Sequence, residues 1–159
     1  LLRQRYAISP DVVTCVLAVG RGNFYRAWLR AQALTAWQKK EDFQELVVAF
    51  TRVRNITESA QEEWFEPSLF TEEAERVLWR EYLKAEGQLS RRLKNGDYGG
   101  GIENLVPLTE PINRYFDDVL VMTEEEDLRR NRLGFLSALA ELFLSIGDFS
   151  ALVIENTLS

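Results

Sequence analysis

An all-α fold follows from three features of this 159-residue chain. Apolar residues recur at spacings of three and four almost throughout, which is the period of a helix with one buried stripe. No tight turn lies between alternating apolar and polar runs, so the hairpin signature of a sheet is missing. Helix start and stop signals then divide the chain into about seven helices, arranged as a bundle.

The first helix follows Ser9-Pro10, a capping residue with proline at the first helical position, and runs through VVTCVLAV until Gly20 and Gly22 break it. Asn23 caps a second, with Phe24, Trp28, Ala31, Leu34 and Trp37 inward, ending near Lys39-Lys40 where cations suit the negative helix end. The third, DFQELVVAFTRVRNI, keeps Phe43, Leu46, Val47, Phe50 and Val53 on one stripe. Arg52 and Asn55 fall away from that stripe and leave a basic corner facing outward.

QEEWFEPSLF reads as an irregular link around Pro67, apolar enough that Trp64, Phe65, Leu69 and Phe70 are expected to pack on the bundle. Thr71 opens a long fourth helix that stops at Asn95-Gly96. Asp97 caps a short fifth, although Gly99, Gly100 and Gly101 in its first turns each cost roughly 1 kcal/mol against alanine. A sixth helix runs from Pro111 with Ile112, Tyr115, Phe116, Val119 and Leu120 as its apolar positions. The seventh spans Thr123 to about Ile146; Thr123 and Glu126 have the spacing of a capping box, and Leu128, Leu133, Leu136, Leu139, Ala140 and Phe143 form its buried stripe.

Composition sets the outer limits. An apolar content of 46%, with four Trp and nine Phe, supplies the core of one domain covering residues 1–159. The net charge of −6 argues against a generally sticky nucleic-acid binder, but the charge is unevenly placed. Residues 1–57 carry nine Lys and Arg against four Asp and Glu, a balance of +5; residues 58–159 carry ten against twenty-one, a balance of −11. The single cysteine, Cys15, lies among apolar neighbours and reads as a buried, inert thiol, and the chain has no histidine. No apolar run approaches the ~20 residues of a membrane span. A reducing, aqueous compartment, the cytoplasm, is expected. The opening LLRQRY has no initiator methionine, so a piece of a longer polypeptide is expected, 1–57 forming the leading helices and 58–159 the core of the bundle.

Two constellations invite a chemical reading. Tyr115-Phe116-Asp117-Asp118 has the Y-x-D-D form by which a polymerase palm presents carboxylates to magnesium. Here the surrounding apolar spacing is helical, which sets Asp117 and Asp118 about 100° apart and turns them away from the stripe, poorly placed to share an ion. The glycines at 99–101 lack the G-x-x-x-x-G-K-[ST] arrangement and the preceding strand of a phosphate loop. No catalytic, cofactor-binding or metal-binding residues are therefore expected. In LRRNRL, by contrast, Arg129, Arg130 and Arg132 with Asn131 span more than one face of the helix start. Guanidinium forks and a side-chain amide suit phosphate and base contact, while pairing with nearby acids is the structural alternative.

The motifs DYGGG, LTEPINRYFDDVLVM and DLRRNRLGFL, with AWQKKEDFQELVVAFTRVRNI upstream, resemble in order and spacing the C-terminal region of the β subunit of bacterial-type glycyl-tRNA synthetase. The resemblance covers nearly the whole chain, most firmly residues 49–56 and 97–136. It implies an all-helical anticodon-binding domain of the DALR type, whose partners are the tRNA-Gly anticodon loop, the α subunit and the remaining β-subunit domains. It also implies that chemistry, with ATP and magnesium, resides in the α subunit, so no cofactor is expected in this segment. The source is expected to be bacterial, with an organelle of bacterial descent as the other possibility. The tRNA-binding candidates are Arg52, Asn55, Arg129, Arg130, Asn131 and Arg132; Asn131 or Arg132 can instead lock helices together through buried hydrogen bonds. The rival reading is a helical protein-interaction module that contacts other synthetase domains or the α subunit.

Overall fold

The computed structural model describes residues 7–19, 23–62 and 64–154, and every regular element among them is helical. Seven α-helices follow in order: α1 Pro10–Leu17, α2 Phe24–Trp37, α3 Glu41–Thr57, α4 Glu73–Lys94, α5 Tyr98–Leu105, α6 Thr109–Asp118 and α7 Glu126–Leu144. Short 3-10 turns occupy Pro67–Leu69, Val106–Leu108 and Phe149–Ala151. Gly20 and Gly22, read as the break after the first helix, lie outside the described residues.

The middle of the bundle is α3. Its expected stripe of Phe43, Leu46, Val47, Phe50 and Val53 is buried, and α6, α7 and the Phe149–Ala151 turn close over it. Phe50 meets Phe143 at 4.7 Å and Phe149 at 5.9 Å between ring centroids, both edge-on, as the ring quadrupoles prefer. A second aromatic group gathers Phe65, Phe70, Trp79 and Tyr82 around Phe135 of α7. Helix α4 packs on α5 and α6, α2 packs on α5, and α1 pairs with α2. The C-terminal turn is tied back to α1 by Asp148 N donating to Cys15 O at 3.0 Å and Val153 N donating to Asp11 Oδ2 at 2.8 Å.

Local chemistry explains most helix ends. Asn23 Oδ1 accepts from Arg26 N at 3.1 Å, and Asp97 Oδ1 accepts from Gly100 N at 2.9 Å, so both residues cap as expected. Ser9 takes the position before α1 with Pro10 after it, but its side chain makes no cap bond. Between α4 and α5 the chain turns at Gly96, whose φ of +70° is the left-handed conformation that a Cβ disfavours.

The capping box expected of Thr123 and Glu126 does not form. Helix α7 begins at Glu126 itself with Glu125 before it, and Thr123 Oγ1 accepts from Glu125 N instead. Reciprocal capping occurs at α4, where Glu75 Oε1 accepts from Glu72 N at 3.1 Å.

Four apolar residues expected inside are exposed: Phe24 (90%), Trp64 (71%), Leu69 (44%) and Leu120 (69%). For Leu120 the cause is a change of period. Helix α6 ends at Asp118, Val119 is extended, and residues then alternate, with Val119 and Val121 buried and Leu120 and Met122 out. Phe24 sits in the first turn of α2, where the angular stripe continues but burial also needs a neighbouring element. No helix among the described residues is long and apolar enough to cross a membrane.

Candidate nucleic-acid interface

The sequence LRRNRL opens into four directions because successive residues on a helix are rotated by about 100°. Arg129 donates from Nη1 to Thr123 O at 3.1 Å, clasping the turn that precedes α7. Arg130 is 58% exposed and pairs with Glu62 at 3.4 Å and Glu126 at 3.7 Å. Asn131 and Arg132 point inward and are each 5% exposed.

These inward residues are occupied by the fold. Asn131 Oδ1 accepts from Glu66 N at 2.6 Å, fastening the irregular segment 64–66 to α7. That segment crosses α7 at Gly134, where a Cβ would collide with the Trp64 carbonyl. Arg132 donates from Nη1 to Leu120 O at 2.8 Å and from Nη2 to Glu75 Oε1 and Thr71 Oγ1, both at 3.3 Å. Glu75 is fully buried, so the pair joins α4 to α7 in a low-dielectric interior. The structural alternative open for Asn131 and Arg132 in the sequence is thus the arrangement observed.

The other candidates lie on α3. Arg52 is exposed, with its guanidinium 4.6 Å from the Phe116 ring centroid and Nη1 donating to Asn113 Oδ1 at 3.4 Å. A guanidinium held over an aromatic face is pre-organised for contact with an anion or a base. Asn55 is exposed one turn further on. Arg54, not among the expected residues, pairs with Asp148 at 3.8 Å and lines a groove of about 650 Å³ between α3 and α7. The expected residues therefore form an α3 group, Arg52 with Asn55, and an α7 group, Arg129 with Arg130.

Sequence reasoning missed Trp64 as a functional candidate. An indole flanked by carboxylates in an irregular segment reads as a core anchor, and only the crossing at Gly134 shows that its backbone is held down while its ring stays out. The only signal in the sequence was its acidic setting, EEWFE.

No group of three His, Cys, Asp or Glu among the described residues could hold a metal ion, and Asp117 and Asp118 are exposed, with Asp118 paired to Arg114 at 3.5 Å one turn back. Burial, followed by the nearby Asp148 and Asp11 carboxylates, pushes the Cys15 thiol up to about 12, which leaves it protonated and inert. The start of the glycine-rich α5 is closed by the Asp97 carboxylate, which is also paired with Arg92 at 2.9 Å. That anion stands where a phosphate would have to bind.

Comparison with known proteins agrees with this geometry. Residues 46–148 match the family described as DALR anticodon binding domain. The chain is 36% identical over 150 residues to the glycine--tRNA ligase beta subunit of Desulforudis audaxviator, covering 94% of this chain and 22% of that protein. It is 37% identical over 144 residues to the subunit of the same name from Moorella thermoacetica, covering 90% and 21%. For Thermotoga maritima the figures are 38% over 152 residues, covering 96% and 22%. The chain thus spans about a fifth of the length of these curated relatives. With an all-helical bundle, a family match through α3 to α7 and outward arginines on those two helices, the chain belongs to the DALR anticodon binding domain family.

Proposed function

We propose that this chain is the anticodon-binding domain of a glycyl-tRNA synthetase β subunit and engages the anticodon loop of tRNA-Gly. The observation that carries the reading is similarity over nine-tenths or more of the chain to glycine--tRNA ligase beta subunits, together with the family match to anticodon-binding domains. In this reading it supports ATP-dependent glycylation carried out by the α subunit, where ATP and magnesium act, in the cytoplasm of a bacterium.

The surface chemistry suits the task. Bases of an anticodon loop are unstacked, so aromatic and guanidinium planes can take their faces and polar groups their edges. Arg52 on Phe116 is such a plane, and Arg129 and Arg130 add cationic groups near the start of α7. Glycine codons begin GG, so the anticodon ends in two cytosines, whose amino groups favour a reader with carboxylates. An acidic domain is compatible with that reader.

Alanine substitution separates contact from architecture. Arg52→Ala, Asn55→Ala, Arg129→Ala and Arg130→Ala are expected to weaken binding to a tRNA-Gly anticodon stem-loop while leaving the melting temperature within a few degrees. Wild-type affinity in all four variants would overturn the assignment of these residues.

A second face favours a protein partner. Val13 and Leu17 of α1 and Phe24 and Tyr25 of α2 are exposed, an apolar set that fits docking against other synthetase domains or the α subunit.

A further inference from the structure

We infer that the groove between the start of α7 and residues 62 and 64–69 is a single-nucleobase subsite for an anticodon cytosine, preferring its amino group and adjacent acceptor ring nitrogen to the carbonyl and N–H of uracil. This rests on the tRNA-binding reading above and assigns one part of it.

The groove encloses about 250 Å³ and is lined by Glu62, Trp64, Leu69, Asp127, Arg130 and Asn131. Its α7 wall is one helix facet, because Asp127, Arg130 and Asn131 stand at i, i+3 and i+4. Its other wall is held in place by the Asn131–Glu66 bond and by the crossing at Gly134. The site is therefore built on anchored backbone, although its rim is open.

Each lining group has one plain use for a base. The exposed Trp64 indole and the Leu69 side chain offer apolar surface to a flat ring. Asp127 is an acceptor, and Arg130 beside it on the same facet is a donor. Acceptor next to donor complements the amino group and ring nitrogen of cytosine and mismatches uracil, which presents a carbonyl and an N–H in the same places. The Asn131 amide gives a further, independent indication: its oxygen is used by Glu66 N, but its buried Nδ2 has no partner in the protein. An unpaired buried donor is costly, and the O2 carbonyl of cytosine, beside its ring nitrogen, is an acceptor that would relieve it. Glu62 and Asp127 repel phosphate, so the backbone stays outside and the uncharged base edge enters.

The test is a titration of the chain with tRNA-Gly anticodon stem-loops carrying the two cytosines or a C-to-U change at either one, with melting measured for each variant. Trp64→Ala is expected to weaken binding to the cytosine stem-loop at least about fivefold, from loss of one stack, with melting unchanged. Asp127→Asn, whose amide can present either a donor or an acceptor, is expected to bring the C-over-U preference at one position to within about threefold while the other position keeps its preference. Wild-type binding and wild-type preference at both positions in both variants would overturn the subsite and leave the anticodon reading intact. Failure of the unmodified chain to bind any stem-loop would overturn both.

Discussion

Arg130 and Arg132 are two residues apart on α7 and are read by entirely different physics. Arg130 is solvated and its ion pairs are screened, so its removal is expected to change stability little. Arg132 is enclosed with Glu75, whose Oε1 also accepts from Thr71 N at 3.2 Å and Glu72 N at 3.1 Å. The Tyr115 hydroxyl sits close enough that burial, and then the Glu75 carboxylate, push it well above the ordinary tyrosine range. Removing one member of such a pair leaves a charge stranded in the interior. Arg132→Ala or Glu75→Ala should therefore cost about 3–5 kcal/mol, measured by denaturant unfolding, while stem-loop affinity per folded molecule stays unchanged. None of this was visible locally: Glu75, the partner of Arg132 on α4, and the Glu66 amide held by Asn131 lie 57 and 65 residues away along the chain. The sequence shows that a guanidinium is present but not which helix turns it inward.

At the scale of an element, the junction between α4 and α5 is the part most fully written in the sequence. Asn95-Gly96 stops one helix and Asp97 starts the next through bonds that span only three to five residues. Gly96→Ala places a Cβ in the left-handed conformation and is expected to cost about 1–2 kcal/mol, read as a lowered melting temperature. The Asp97 carboxyl is held below its ordinary value of 3.8, first by the Gly100 N–H and then by Arg92. A depressed folded-state pKa stabilises the fold above the unfolded value and ceases to do so as pH falls through the folded one. Compared with Asp97→Asn, the wild-type chain should thus show a melting advantage near neutrality that closes below about pH 4.

The start of α7 is the contrasting case. Thr123-x-x-Glu126 carries the letters of a capping box, but burial of Val119 and Val121 and the Arg132–Leu120 bond determine where the turn ends. The helix accordingly begins too late for Thr123 to cap it. Gly101 was also under-read: its cost in helix propensity accompanies close packing, since a Cβ there would meet Leu89 Cδ1 at 2.8 Å. Periodicity finds stripes and caps, while tertiary neighbours decide which ends of a stripe are covered.

Over the whole molecule, a chain of net charge −6 places the candidate arginines Arg52 and Arg130 at the surface of α3 and α7. Binding to RNA then depends on a few placed cations and on base contacts, so the salt slope should be shallow, about 0.7 per phosphate neutralised. The fold class and the two arginine-bearing motifs were legible because helical period and side-chain type are local properties. The division of those motifs into interior and surface, and the exposed Trp64, depend on how segment 64–66 crosses α7.

The most direct measurement of the central claim is the affinity of this chain for the tRNA-Gly anticodon stem-loop against stem-loops in which each anticodon cytosine is replaced in turn, at moderate salt. The account predicts that either replacement weakens binding by about fivefold or more, the discrimination of roughly 1–3 kcal/mol that a read base edge provides. Equal affinity for all the stem-loops would contradict it.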